Sequence, residues 1–153
     1  MTRYVYRATA IGVAAVVAGL GFLFASLVVA PADGSASPEF GASNTGVPAL
    51  VRLMVHQGAL DVDKPGAVID GLDVRGVISV MAPNVTIKRT IVRGGSLPSA
   101  STGLIMATTP GASGFVVEDV TLVPSNPHPN YDGVRVNQAG TFRRMNIAGT
   151  GDG

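Results

Sequence analysis

The chain has 153 residues, of which 46% are hydrophobic, 5% aromatic and 14% charged, with no Cys, no Trp and a formal net charge of +1. That length suits one domain. The composition excludes a disulfide-stapled mini-protein and argues against both a polar disordered tail and a basic nucleic-acid binder.

The N-terminus comes first. Arg3 and Arg7 precede an uncharged apolar run from Ala8 to Ala30, followed by Pro31 and Ala32. This is the order of a secretory signal: a positive start, an apolar stretch and a small-residue cleavage pattern. The run also reaches the roughly 20 residues that span a bilayer. Two outcomes stay open: cleavage after Ala32, or an uncleaved anchor with its Arg end inside, holding the protein to the membrane through residues 8–30. Either way the rest of the chain is expected outside the cytoplasm, secreted or surface-anchored. No Cys lies near residue 30, which excludes a lipoprotein anchor. Residues 33–153 carry nine basic and ten acidic side chains, so the exported part has a net charge of −1. Residues 33–45, rich in Gly, Ser, Ala and Asn, read as a flexible linker.

From Gly46 onward short β-branched runs alternate with Gly, Pro, Asn and Asp. An apolar template at i, i+3 and i+5 recurs as Ile69/Leu72/Val74, Ile87/Thr90/Val92, Val117/Val120/Leu122 and Phe142/Met145/Ile147, with Thr90 its one polar member. An i, i+2 pair precedes each copy: Leu60/Val62, Ile78/Val80, Leu104/Met106 and Val134/Val136. Such pairs face one side of a strand. The repeat is too short for a βαβ unit, whose crossover needs a helix. It predicts an all-β fold, a right-handed parallel β-helix of about four coils over residues 46–153. A small antiparallel β-sandwich is the alternative.

The stretches Ala67–Gly76, Ala82–Arg89 and Val117–Leu122 resemble the right-handed parallel β-helix proteins of the pectate lyase-like superfamily, in particular secreted bacterial members. The resemblance covers residues 46–153. It implies a polysaccharide as partner, bound or cleaved on an outward sheet face between long turns.

Stacking the template aligns Asp70, Lys88, Glu118 and Arg143 in one column, and Gly71, Arg89, Asp119 and Arg144 in the next. Alternating signs then place opposite charges on neighbouring coils, which favours the correct register. This cluster reads as structural.

Two segments read as long turns, residues 94–103 and 124–132. The second carries His128, Tyr131 and Asp132 and runs into Arg135 and Asn137. If Val134 and Val136 face inward, Arg135 and Asn137 face outward. Their expected column neighbours are Ile105 and Ala107, then Ser79 and Met81, then Asp61 and Asp63. Asp132-Gly133 recurs as Asp152-Gly153 one coil length later, so the two carboxylates are expected on adjacent turns. A close carboxylate pair can act as acid and base or hold a cation such as Ca²⁺, although nothing in the sequence calls for a cofactor. Asn130-Tyr131-Asp132-Gly133 is similar to the Asn-x-Asp-Gly of polygalacturonases, which implies a catalytic Asp132; Arg135 is similar to the basic Arg of pectate lyases. Asp152 falls near the next acidic motif of polygalacturonases, but the second, adjacent Asp of that motif is missing, since the sequence reads Gly151-Asp152-Gly153.

The candidate catalytic residues are therefore Asp132, Arg135 and Asp152, with His128, Tyr131 and Asn137 as candidate substrate contacts. Asp-Gly is equally good turn chemistry. Two His residues 72 apart and no Cys give no metal site, and no nucleic-acid partner is expected. Asn84-Val85-Thr86 is a formal glycosylation sequon, read here as a structural turn. Residues 46–58 are expected to cap the first coil. Nothing caps the last, which is the pattern of a fragment of a longer protein or of coils that associate end to end.

Overall fold

A computed structural model describes Gly41, residues 43–96 and residues 100–152. The leader and most of the linker lie outside the described residues. Among those described, no helix is long and apolar enough to cross a membrane.

The first strand, β1 (Met54–Gln57), is followed by repeating triplets. These are β2 (Leu60–Val62), β3 (Val68–Asp70) and β4 (Leu72–Arg75); then β5 (Ile78–Val80), β6 (Thr86–Lys88) and β7 (Ile91–Val92). Next come β8 (Thr102–Ala107), β9 (Phe115–Glu118) and β10 (Thr121–Leu122), then β11 (His128–Val136), β12 (Gly140–Arg143) and β13 (Asn146–Ile147). Strand β14 (Thr150–Asp152) opens a further turn. Every third strand joins the same sheet. The first sheet runs β1-β4-β7-β10-β13, the second β2-β5-β8-β11-β14 and the third β3-β6-β9-β12. Every strand pairing is parallel. The fold is thus a parallel β-helix of four to five coils, and the antiparallel sandwich is set aside.

The register matches the i, i+3, i+5 template. Ile69 pairs with Ile87, Ile87 with Val117 and Val117 with Phe142. A corner residue explains the three-residue step. Gly71, Arg89, Asp119 and Arg144 occupy the same place in successive coils and all have left-handed φ values of 69°, 46°, 55° and 46°. This bend lets the residues at i and i+3 both face the interior. Three of the four are not glycine, which makes the column unusual. Its amides are satisfied up the stack: Gly71 N–H donates to Lys88 O, Arg89 N–H to Glu118 O and Asp119 N–H to Arg143 O, at 3.2–3.3 Å. Asn84 is also left-handed, at φ 58°, in the turn before β6.

Inward columns of Val, Ile and Leu fill the bore and are fully buried in the middle coils. Thr90 sits among them, its hydroxyl donating to Lys88 O at 2.8 Å, so the polar exception costs no unpaired group. Phe115 is buried opposite its strand partner Gly140, where a Cβ would come within 2.3 Å of its ring. Phe142 packs edge-on against the same ring at 5.5 Å. Toward the last coil burial falls off: Val136 and Phe142 are partly exposed.

Two expectations need correction. In β8 Leu104, Ile105 and Ala107 are all buried in the core, and Ile105 and Ala107 pair with Val134 and Val136; Met106 is not inward, and it rather than Ile105 is the column neighbour of Arg135. The run Leu104-Ile105-Met106-Ala107 is apolar throughout, so alternation carries no phase there. The N-terminal segment also acts differently. Residues 54–57 add a strand beneath β4, but residues 43–49 do not cap the first coil. They reach the far end of the first sheet, where Gly46 N–H donates to Arg144 O at 2.7 Å and Val47 N–H to Thr121 Oγ1 at 3.1 Å. Gly46 is obligatory there, since a Cβ would lie 2.5 Å from that hydroxyl.

Candidate functional site

Two groups of charged side chains stand out, and they differ in kind. The first follows the corner column. Arg89 grips Asp70 of the preceding coil with two hydrogen bonds, one of them Nε to Oδ1 at 2.8 Å, and Lys88 Nζ lies 3.6 Å from the same carboxylate. Arg144 repeats the grip two coils on, donating to Asp119 at 2.6 and 3.0 Å and to Glu118. The Arg89 hydrogen bonds hold the Asp70 carboxyl below the usual carboxylate range, and those of Arg144 do the same for Asp119. Both guanidinium pKa values are raised in return. The charges pair between coils as the alternation predicts, straight up a column for Lys88 with Asp70 and Arg144 with Asp119, and also diagonally for Arg89 with Asp70 and Arg144 with Glu118.

A related cluster lies on the outer side of the first sheet. Asp73 is buried and accepts from Arg93 Nε at 2.7 Å, with Arg75 Nη2 at 3.4 Å. The 18-residue spacing of Arg75 and Arg93 equals the first coil length and could have exposed this pair in the sequence.

The second group contains the sequence candidates. Residues 128–132, expected as part of a long turn, instead belong to β11, which runs nine residues. Arg135 Nη2 lies 3.1 Å from Asp132 Oδ2. The Asp132 side chain is 17% exposed and that of Arg135 44%, so the carboxylate is largely covered while the guanidinium meets solvent. Up the outer face of the second sheet Arg135 stacks on Met106, then Ser79, then Asp61. Asn137 is exposed just beyond the strand, its N–H donating to Ala107 O at 3.1 Å. Asp152 is the strand partner of Asp132, across an irregularity in the β11–β14 pairing.

His128 starts β11 beside a shallow depression of about 330 Å³ between Pro127, Pro129 and Gly149–Gly151, and its Nδ1 accepts from Asn130 N–H at 3.1 Å. Tyr131 is placed differently from a solvent-facing contact. It is buried, its hydroxyl donating to Ser96 O at 2.9 Å and accepting from Gly95 N–H at 3.0 Å, which ties the strand to the turn of the preceding coil. A Cβ on Gly94 would strike the ring at 2.8 Å. The structure therefore brings Asp132 and Arg135 together, sets the backbone of Asp152 alongside and leaves His128 toward the other end of the strand.

Ser101 joins the pair and has no motif to mark it in the sequence. Its hydroxyl lies 3.3 Å from both Asp132 carboxylate oxygens, and its carbonyl accepts from Arg135 at 2.7 Å. Among the described residues no group of three or more His, Cys, Asp or Glu is placed to hold a metal ion. No family model, curated protein or solved structure matches the chain significantly.

Proposed function

We propose that the chain is an exported, right-handed parallel β-helix of pectate lyase-like type that binds polysaccharide outside the cell or at its surface. The observation that carries this reading is the Asp132–Arg135 pair on the outer face of the second sheet, with the guanidinium half-exposed. A planar guanidinium fork suits bidentate contact with a carboxylate or sulfate, and an outward sheet face that carries Arg135, Ser79 and Asp61 in one column suits an extended polymer. The leader with Arg3, Arg7 and the apolar run 8–30 supports export. Binding is the primary reading; processing would require Asp132, Arg135 and Asp152 to act on a bound polymer.

The test is affinity electrophoresis of the full chain through a polyuronate, a sulfated and a neutral linear polysaccharide, with turnover assayed in parallel. Arg135→Ala is expected to weaken binding by about tenfold or more, the loss of a charge-assisted contact. Asp132→Asn separates the two activities. In a pure binder it loosens the Arg135 fork and weakens anionic-polymer binding with no turnover to lose; in an enzyme it also abolishes turnover. No binding to any of the three polymers, or wild-type binding by Arg135→Ala, would sink the proposal and leave a structural β-helix.

A further inference from the structure

Asp132 and Arg135 both belong to the fourth coil, yet both reach back to one residue of the third. Arg135 Nη1 donates to the Ser101 carbonyl at 2.7 Å, and the Ser101 hydroxyl lies 3.3 Å from each oxygen of Asp132. Gly103 clears the way between them. It is the strand partner of Asp132, and a Cβ there would fall 2.9 Å from Arg135 Cβ and 3.0 Å from Arg135 N. The base of the Arg135 side chain therefore lies against β8 at a place no side chain can share. A free arginine has many rotamers, and ordering one on binding costs affinity. Here the guanidinium is held on two sides, by a carbonyl and by a carboxylate, before any ligand arrives.

We infer that Ser101 is a positioning residue for the polysaccharide site proposed above. Its carbonyl aims the Arg135 fork, and its hydroxyl holds Asp132 in place as the counter-ion that steadies the fork from the other side. The guanidinium N–H groups not used by Ser101 and Asp132 are then presented to an anionic group on the polymer. The inference rests on the binding reading of this face.

The test uses the full chain, a linear polyuronate as probe, and the NMR signal of the Arg135 Nε–Hε group, assigned by its loss in Arg135→Lys. Ser101→Ala removes the hydroxyl, whereas Ser101→Thr keeps it and controls for folding. Ser101→Ala is expected to bind the polyuronate about fivefold more weakly, the worth of one modest hydrogen-bonding group. Ser101→Thr is expected within about twofold of wild type on the same scale, and the Arg135 signal is expected to move in Ser101→Ala alone. Equal binding by wild type and Ser101→Ala, or an Arg135 signal that stays put, overturns the role of Ser101. If the wild type binds no polyuronate, the binding reading fails instead, and the Arg135 signal alone decides whether Ser101 positions the side chain.

Discussion

The corner between the third and first sheets and the outer face of the second sheet both pair aspartate with arginine, to different ends. At the corner the pairing recurs: Asp70 with Arg89, then Asp119 with Arg144, each arginine gripping the coil before it with several hydrogen bonds. On the outer face the pairing occurs once, between Asp132 and Arg135, three residues apart on one strand and joined by a single 3.1 Å contact. A repeated contact between coils follows the repeat and favours its register, because a slip by one coil opposes like charges. A contact made once, within one coil and backed by a serine from another, is not needed for stacking. On the binding reading proposed above, the same two residue types serve cohesion in one place and presentation in the other.

Charge reversals break this comparison most directly. Arg144→Glu sets a third carboxylate against Glu118 and Asp119, and the thermal midpoint is expected to drop by about 10 °C with polyuronate binding unchanged. Arg135→Glu is expected to do the converse, holding the midpoint within about 2 °C while binding falls by well over about tenfold. Parallel unfolding scans and affinity gels decide it. Equal loss of stability in both variants would erase the distinction between the two regions.

Acid sharpens it further. The Asp70 and Asp119 carboxyls titrate below their ordinary range because arginine hydrogen bonds favour the charged form. A group whose folded pKa is depressed contributes its full stability above the unfolded value, about 3.9 for Asp. That contribution disappears as pH falls through the folded value. The thermal midpoint is therefore expected to owe nothing to these two groups' titration between pH 7 and about 5, and to lose their support below about pH 4. Asp70→Asn combined with Asp119→Asn should start lower at neutral pH and show a shallower acid limb. An acid limb as steep as wild type would remove the corner from the account of stability.

How much of this was legible in the sequence depended on whether a residue belonged to the repeat. The template aligned Ile69, Ile87, Val117 and Phe142, and the strands pair in that alignment. It also aligned the corner charges, because a coil is a fixed length of chain and like positions return to the same column. Phase was lost in β8, where four apolar residues in a row hide the alternation. The docking of Gly46 on Thr121 was invisible for a related reason: a single glycine against a distant hydroxyl leaves no periodic trace. In the site, the strand partnership of Asp132 with Asp152 followed from their spacing, whereas Ser101 did not, since it lies outside the repeating strands and no periodic pattern marks it. Tyr131 was the instructive case. Its polar, proline-rich neighbourhood pointed to the surface, but a phenol whose oxygen has both a donor and an acceptor waiting can be buried without penalty.

The smallest expected effect concerns what an arginine is doing in a left-handed corner. Arg89 has φ 46°, a conformation that costs a residue with a Cβ but not glycine. The first coil solves the same corner with Gly71, at φ 69°, and there the adjacent Asp70 still supplies the charge. Arg89→Ala and Arg89→Gly both lose the grip on Asp70, so both are expected to unfold below wild type. They differ only in the backbone, where relief of the left-handed strain outweighs the greater freedom of unfolded glycine. Arg89→Gly is therefore expected to melt about 2–4 °C above Arg89→Ala. The size of that gap measures the backbone cost at the corner, and the deficit of Arg89→Ala against wild type, both of which keep a Cβ there, measures the ion pair. If the alanine variant melts with or above the glycine variant, the corner conformation carries no strain, and the arginines there are explained by their ion pairs alone.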